Sequence, residues 1–450
     1  MVAALRPKPG PARSYQFPIF QGEALSGGAQ LLVAPVEKLP IVTVLVVVDT
    51  GSTNEAAGKE GVAKLTASAL LEGSRNYDGA ELAEKFEQLG TSLESGADWD
   101  STFVKITVLS ERLPAALGLL GEVLTTPVFP EREVERLKAE RLSEILQTET
   151  EPRALADERF ESFLYAEESR YSKPDGGSAE SVTGLSRADV ERFYHSRFVS
   201  GATTVILAGD IDPARARILV ESTLNGLVNG APPVRSLVVA PRSGTRNVHI
   251  VSKSGAPQSE LRVGHIGLPR KHPDFFPTMV MNAVLGGLFG SRINLNLREA
   301  HGYTYGASSY YDWRRGHGPF AVATAVASDV TAPALREIFL EIDRIREEEI
   351  SAEELSLATD YLEGVFPIRY ETTSAVATAL ASLVIHGLPR DYYDSYRRNI
   401  RDVTVGAVLE AARKHLHPGE LQTVVVGDPA LIRESLAELG AGVVHIHNGQ

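Results

Sequence analysis

Two side chains in the stretch from Gly286 to Tyr305 could act on a carbonyl group. Arg298 offers a fork of guanidinium N–H donors, and the Tyr305 phenol offers one more. Aimed at one point, such donors stabilise negative charge as it develops on a peptide oxygen, which is the chemistry of an oxyanion hole. Leu288, Ile293, Leu295 and Leu297 recur at helical spacing, so the sequence predicts a helix running from Leu288 past Arg298, with Gly302 as its stop. The next residues, Tyr303 to Tyr311, are aromatic or small and read as a strand. Arg298 and Tyr305 would then stand at a helix-to-strand corner. Spacing alone favours the plainer reading, an arginine capping its helix and a tyrosine packed in a sheet.

Behind this corner the chain repeats itself. The strand-like segments Ala202 to Asp210 and Leu421 to Asp428 are each followed by an amphipathic helix, 213–224 and 429–439. Pro130-Glu-Arg-Glu-Val answers to Ser351-Ala-Glu-Glu-Leu, and a strand over 41–49 with a helix over 61–71 mirrors 260–268 and 273–285. These matches, about 220 residues apart, predict two copies of one unit. In the first copy Asp78 caps a helix over 79–88, a strand covers 102–109, and helices are expected at 113–124, 131–147 and 153–164. Runs of strands beside runs of helices indicate an α+β fold, with an antiparallel-type sheet and several helices in each copy. The expected organisation is a flexible leader over 1–19, an N-terminal unit over 20–224, a turn-rich and proline-rich linker over 225–246, and a C-terminal unit over 247–450.

Composition narrows the function classes. A chain of 450 residues with 43% hydrophobic and 23% charged residues has the profile of a soluble globular protein of several domains. Its formal charge of −13 argues against nucleic acid or an anionic membrane as partner. There is no cysteine, which excludes disulfides, thiolate metal sites and cysteine nucleophiles. The longest apolar run, Ile41 to Val48, is too short to span a bilayer and reads as a buried strand. Met1 to Arg13 is basic and proline-containing without an apolar core, so no signal peptide is read. The expected location is cytoplasmic, or periplasmic if the start has been trimmed.

The stretch around Arg298 and Tyr305 resembles the C-terminal-half signature of the pitrilysin/insulinase family of inverted-motif zinc metallopeptidases, which includes the mitochondrial processing peptidase. The resemblance covers the chain from about Phe20 onward and implies two α+β halves arranged as a clamshell. In the family, an arginine at a helix end and a tyrosine seven residues later reach the zinc site of another half or subunit. By position the pair is Arg298 and Tyr305, with Tyr303 as a further substrate contact. Catalytic members carry H-x-x-E-H on a first-half helix, but the matching helix here reads Gly61-Val-Ala-Lys-Leu-Thr-Ala-Ser. Lys64, Ala67 and Ser68 hold the motif positions: an ammonium has no lone pair for zinc, alanine is no base, and serine is a poor ligand. The third ligand position falls at Glu144, and one carboxylate cannot hold zinc. His195 is the only histidine before His249, so no other alignment restores the motif.

With no metal expected in this chain, the resemblance implies a non-catalytic, substrate-binding subunit of a heterodimeric zinc metallopeptidase. It would supply Arg298 and Tyr305 to a homologous partner that carries H-x-x-E-H and the zinc, and would handle unfolded peptides. The alternative is a catalytically inert member acting as a structural protein or peptide-binding homodimer.

The remaining motifs have plainer readings. His415 with His417, and His445 with His447, read as surface histidines near a helix end and in the C-terminal tail. Gly286, Gly287 and Gly290 lack the preceding strand and terminal lysine of a phosphate loop. Tyr310 to Gly318 reads as a hairpin connection whose aromatics and arginines could equally line a peptide groove, and Arg344 to Glu349 as a solvated helix face.

Overall fold

The computed structural model describes residues 14–232, 234 and 237–449. Most of the expected leader and three residues of the expected linker therefore lie outside the described residues. In the first half the strands are β1 (Gln21–Ala24), β2 (Gln30–Pro35), β3 (Ile41–Val48), β4 (Glu94–Ala97), β5 (Thr102–Leu109) and β6 (Thr203–Gly209). Its helices are α1 (Val62–Ala69), α2 (Gly79–Gln88), α3 (Leu113–Thr125), α4 (Glu131–Thr150), α5 (Pro152–Leu164), α6 (Ala179–Thr183), α7 (Arg187–Arg197) and α8 (Pro213–Thr223). In the second half the strands are β7 (Asn247–Ser252), β8 (Gln258–Ile266), β9 (Ala307–Tyr311), β10 (Pro319–Ala327), β11 (Gln422–Gly427) and β12 (Val443–His447). The helices are α9 (Phe275–Asn282), α10 (Arg292–Asn294), α11 (Thr331–Glu347), α12 (Ala352–Arg369), α13 (Thr373–His386), α14 (Tyr392–Arg401), α15 (Val405–His415) and α16 (Pro429–Leu439). No helix among the described residues is long and apolar enough to cross a membrane.

The strands form two six-stranded sheets, ordered β1-β2-β6-β3-β5-β4 and β12-β7-β11-β8-β10-β9. Five strands correspond one to one: β2 to β7, β6 to β11, β3 to β8, β5 to β10 and β4 to β9. The pairing directions correspond too. β2 with β6 and β7 with β11 are parallel, while β3 and β8 run antiparallel to both neighbours. The sheets are thus mixed rather than wholly antiparallel, because β6 and β11 each return after a long helical excursion, the connection that a parallel pair requires.

Each half lends a helix to the other. α13 lies on β3 and β6 of the first sheet, and α5 lies on β8 and β11 of the second. One apolar core accordingly joins Leu45, Val47 and Ile206 to Val376, Ala377 and Leu380, and another joins Phe160, Phe163 and Leu164 to Val251, Val424 and Val426. This exchange explains why β3, β6 and β11 are apolar without alternation: both faces of each sheet are covered. The halves face each other like the valves of a clamshell.

Polar clasps fix the junction. The hydroxyls of Thr43 and Thr373 hydrogen-bond at 2.8 Å in the buried seam. The β9–β10 connection, expected only to turn the chain, inserts two arginines into the first half. Arg315 donates to Asp49 at 2.6 Å, and its backbone N–H donates to Asp100 at 2.8 Å. Arg314 is 3% exposed, donates to Glu161 and Asp312, and lies 4.4 Å over the Trp99 ring. Arg314→Ala should lower stability by about 2–4 kcal/mol, read as a fall in thermal midpoint. The loss stays below that of a fully stranded charge because Glu161 keeps 24% of its side chain exposed.

Candidate functional site

The stretch around Arg298 is not one helix. α9 runs through a π-helical turn, Ala283–Gly287, and the chain then extends at Leu288. It coils again as the short α10 and a second π-helical turn, Leu295–Ala300. Gly302, at φ 65°, ends the coil as expected, but β9 begins only at Ala307, so Tyr303 to Gly306 form a loop instead of a strand. Side-chain hydrogen bonds account for the break, because asparagine competes with the helix for backbone partners. Asn294 donates to the Phe289 carbonyl at 2.6 Å and accepts the Ala307 N–H at 3.0 Å, tying both arms of the loop together. Asn282 bonds the Ser309 carbonyl and hydroxyl at 3.1 and 2.8 Å. A Cβ on Gly286 would come within 2.5 Å of the Ser309 nitrogen, so only glycine lets β9 approach this turn. Asn296 reaches Glu337 and Glu341, and Arg292 forms a two-point ion pair with Glu354, at 2.6 and 3.1 Å, in the first turn of α12. None of these supporting residues stands out in the sequence. The available signal is three asparagines in what reads as helix.

On this braced loop Tyr305 is 96% exposed and lines a groove of about 530 Å³ with Phe289, Asn294, Thr304 and Glu260. Arg153, from α5 of the first half, closes one side. The Arg298 guanidinium stacks 4.5 Å over Phe289, a groove-lining ring that is itself 73% exposed. Arg298 Nη1 makes no hydrogen bond among the described residues, and its nearest carboxylate, Glu299, stands at 3.6 Å. Arg298 and Tyr305 share no hydrogen bond with each other. The Tyr305 hydroxyl is presented to the groove, whereas Arg298 Nη1 is buried without a hydrogen bond. Tyr303 turns away, stacked on His301 at 5.0 Å and packed on the core.

Three of the four positions expected from the zinc motif line a different pocket. Lys64 and Ser68 on α1 and Glu144 on α4 line a cavity of about 220 Å³ with Glu140, Arg141, Gly96 and Ala97. Ala67 is fully buried against the core and does not reach the cavity. Charges inside it are already paired: Lys64 with Asp175 at 2.8 Å, and Arg141 with Glu144 at 3.0 Å while also donating to the Gly176 carbonyl. Two more ion pairs, Glu55 with Arg170 at 2.6 Å and Glu60 with Lys173 at 2.7 Å, pin the 170–177 loop across the start of α1. Burial pushes the Glu55 carboxyl up to about 7 against the pull of Arg170. The loop packs so closely that a Cβ on Gly177, at φ 78°, would sit 2.2 Å from the Glu60 carbonyl oxygen. Two cations in the cavity and no imidazole do not fit a zinc ion, whose ligands must bring lone pairs.

The histidine pairs depart from their surface reading in part: His445 is exposed and His417 and His447 are partly so, but His415 is not. His415 is buried and hydrogen-bonds Asp274 at 2.7 Å, because α15 ends against the start of α9. His445 and His447 belong to the edge strand β12 instead of a tail, and both rings pack beside His249.

Two family models match the chain: insulinase (peptidase family M16) over residues 33–172, and peptidase M16 inactive domain over residues 184–362. An uncharacterised zinc protease of Mycobacterium bovis is 25% identical over 410 residues, covering 90% of this chain and 92% of that protein. A non-peptidase homologue from Helicobacter pylori is 23% identical over 378 residues, covering 82% and 84%. Among solved structures, a peptidase M16 inactive domain from Pseudomonas fluorescens shares the fold with a TM-score of 0.85 at 24% identity, covering 91% of this chain and 98% of that one. A protease from Helicobacter pylori does so with a TM-score of 0.85 at 20% identity, covering 92% and 100%.

The brace under the groove is sensitive to pH. Arg292 beside Glu354 holds that carboxyl at about 2, below its ordinary 4.5. A depressed carboxyl stabilises the fold above its unfolded value, and the contribution is lost as pH falls through 4.5 towards about 2. With solvent screening at this partly exposed pair, Glu354→Gln should cost about 1–2 kcal/mol near neutral pH. Urea unfolding of both proteins should show that difference shrinking across the acid range.

Proposed function

The chain belongs to the insulinase family, peptidase family M16, and from that premise we propose that it is the non-catalytic, substrate-binding subunit of a heterodimeric zinc metallopeptidase. One observation carries the reading: the Tyr305 phenol stands fully presented on a braced rim with the Arg298 guanidinium stacked on Phe289 beside it, while the charges in the cavity of its own motif helix are already paired. A residue that only packs a sheet is not 96% exposed, as Tyr305 is. A homologous partner carrying H-x-x-E-H supplies the zinc and the water it activates. The Tyr305 hydroxyl donates to the oxygen of the carbonyl under attack, and Arg298 anchors a neighbouring carbonyl of the peptide. The groove beside them takes an extended, unfolded segment.

The surroundings of the rim suit a macromolecular neighbour. Phe289 and Leu295 are exposed beside it, and Leu357, Tyr361 and Ile368 lie exposed along α12. An apolar surface of this kind, rimmed by polar groups, marks an interaction face in a water-soluble fold.

A quenched fluorescent peptide tests the assignment. The chain alone should be inert, and the mixture with an H-x-x-E-H homologue should cleave the peptide in a chelator-sensitive way. In that mixture Tyr305→Phe should lower kcat by about 10²–10³-fold, the loss typical of one oxyanion donor, and Arg298→Ala should mainly raise KM. Size-exclusion profiles should show the complex intact in both. Activity indifferent to both substitutions would refute the catalytic role and leave a structural or peptide-binding one.

A further inference from the structure

A second group of side chains with metal-ligand chemistry lies in the other half from the motif cavity. His272 precedes α9, Asp274 stands immediately before its first turn, and His415 is the last residue of α15. Their candidate donor atoms all lie within 4.8 Å of one another. His415 Nε2 is 2.7 Å from Asp274 Oδ2, and His272 Nδ1 is 4.0 Å from the same oxygen. The two imidazole rings meet edge to face, 5.1 Å apart at 80°.

Donors bound tetrahedrally at about 2.0–2.1 Å stand about 3.3 Å apart, and the two observed separations bracket that value. Side-chain rotations of less than about an ångström would equalise them. Lys414 already shows what the site attracts, for its ammonium lies 2.7 Å from Asp274 Oδ2. That side chain is 56% exposed and flexible, so it can swing into solvent when a more strongly bound cation arrives.

Ligation exchanges hydrogen bonds for metal bonds: His415 Nε2 donates its proton to Asp274 and releases it when a metal ion binds. Lys414, and after it His415, hold the Asp274 carboxyl below the usual carboxylate range. Burial, and after it the neighbouring His415, lower His272, so its ring is neutral at neutral pH. His272 Nδ1 accepts the Asp274 N–H at 3.1 Å, so its lone pair is engaged by the backbone and a bound ion takes the place of that hydrogen bond.

We propose that His272, Asp274 and His415 form a surface binding site for a divalent transition-metal ion of the zinc class. Two imidazoles and one carboxylate suit zinc, cobalt or nickel over magnesium and calcium, which prefer all-oxygen shells. Water completes the coordination, and a bound ion bridges the start of α9 to the end of α15.

Calorimetric titration of the metal-stripped full chain with zinc chloride, repeated with cobalt while visible absorption is followed, tests this site. About one equivalent should bind per chain. His272→Ala and His415→Gln should each weaken binding by about 10–100-fold or more. Lys414→Ala should tighten it by about 2–5-fold by removing the competing cation. Glu144→Gln, in the motif cavity, should change nothing. Absence of binding, or binding indifferent to His272→Ala, overturns the proposal. His272 is partly exposed and its replacement tolerable, so the result does not depend on how well His415→Gln folds. No partner or peptidase activity enters the readout.

Discussion

The exchange of helices α5 and α13 between the halves is the constraint on which the structure depends. A twisted sheet apolar on both faces must be covered twice, and here the second cover of each sheet belongs to the other half. Neither half has a complete core by itself. Arg314, Arg315 and the Thr43–Thr373 pair are placed at the same seam, where a shift of one valve against the other would strand buried polar groups. The groove inherits this rigidity. Its rim stands on β8, β10 and the turn after α9, all rooted in the shared core, while Arg153 comes from the exchanged helix α5.

The cavity between α1 and α4 holds paired charges and no imidazole among its lining residues. Here ion pairs tie the start of α1 to the 170–177 loop, and Arg141 of α4 donates to the Gly176 carbonyl of the same loop. Lys64, Glu60 and Glu55 on and before α1 engage Asp175, Lys173 and Arg170, all three partners lying along one loop. Arg141 shares the cavity with Lys64 and answers Glu144. Three substitutions at motif positions alone would leave a lone carboxylate facing an empty cavity. The surrounding cations and the tight loop at Gly176 and Gly177 show the neighbourhood adapted to charge pairing.

How much of the fold is legible in the sequence depends on the range of the interactions involved. The duplication, the long helices and the buried strand Ile41–Val48 are readable because periodicity and apolar runs are local. The cap at Asp78 is readable for the same reason, since a cap acts within four residues. Uninterrupted apolar character in β3 signals that both faces are covered, but not which helix covers the second. The rim departs from the helix that its periodicity predicts because Asn282, Asn294 and Asn296 spend their side chains on backbone and carboxylate partners distant in sequence. His415 is buried, against expectation, because α15 meets α9, well over a hundred residues away. Arg314 and Arg315 look like turn residues for the same reason: their partners Glu161, Asp49 and Asp100 lie in the other half.

The lasting contrast within the molecule is between donors that are used and donors that are not. Arginines drawn into the interior are committed: Arg314 to two carboxylates, Arg262 to Asp157, Arg292 to Glu354. Each such pair costs desolvation and offsets it only through complete geometry. Arg298 differs in what it rests on: its guanidinium lies over the exposed Phe289 ring, beside the fully presented Tyr305 phenol, and its ion-pair contact among the described residues is only the adjacent Glu299 at 3.6 Å. Three asparagines brace one loop so that the Tyr305 phenol faces outward, which places the stabilising contacts behind the rim. A phenol so exposed is open to an acceptor from outside the chain in a way that the buried Arg298 nitrogen is not.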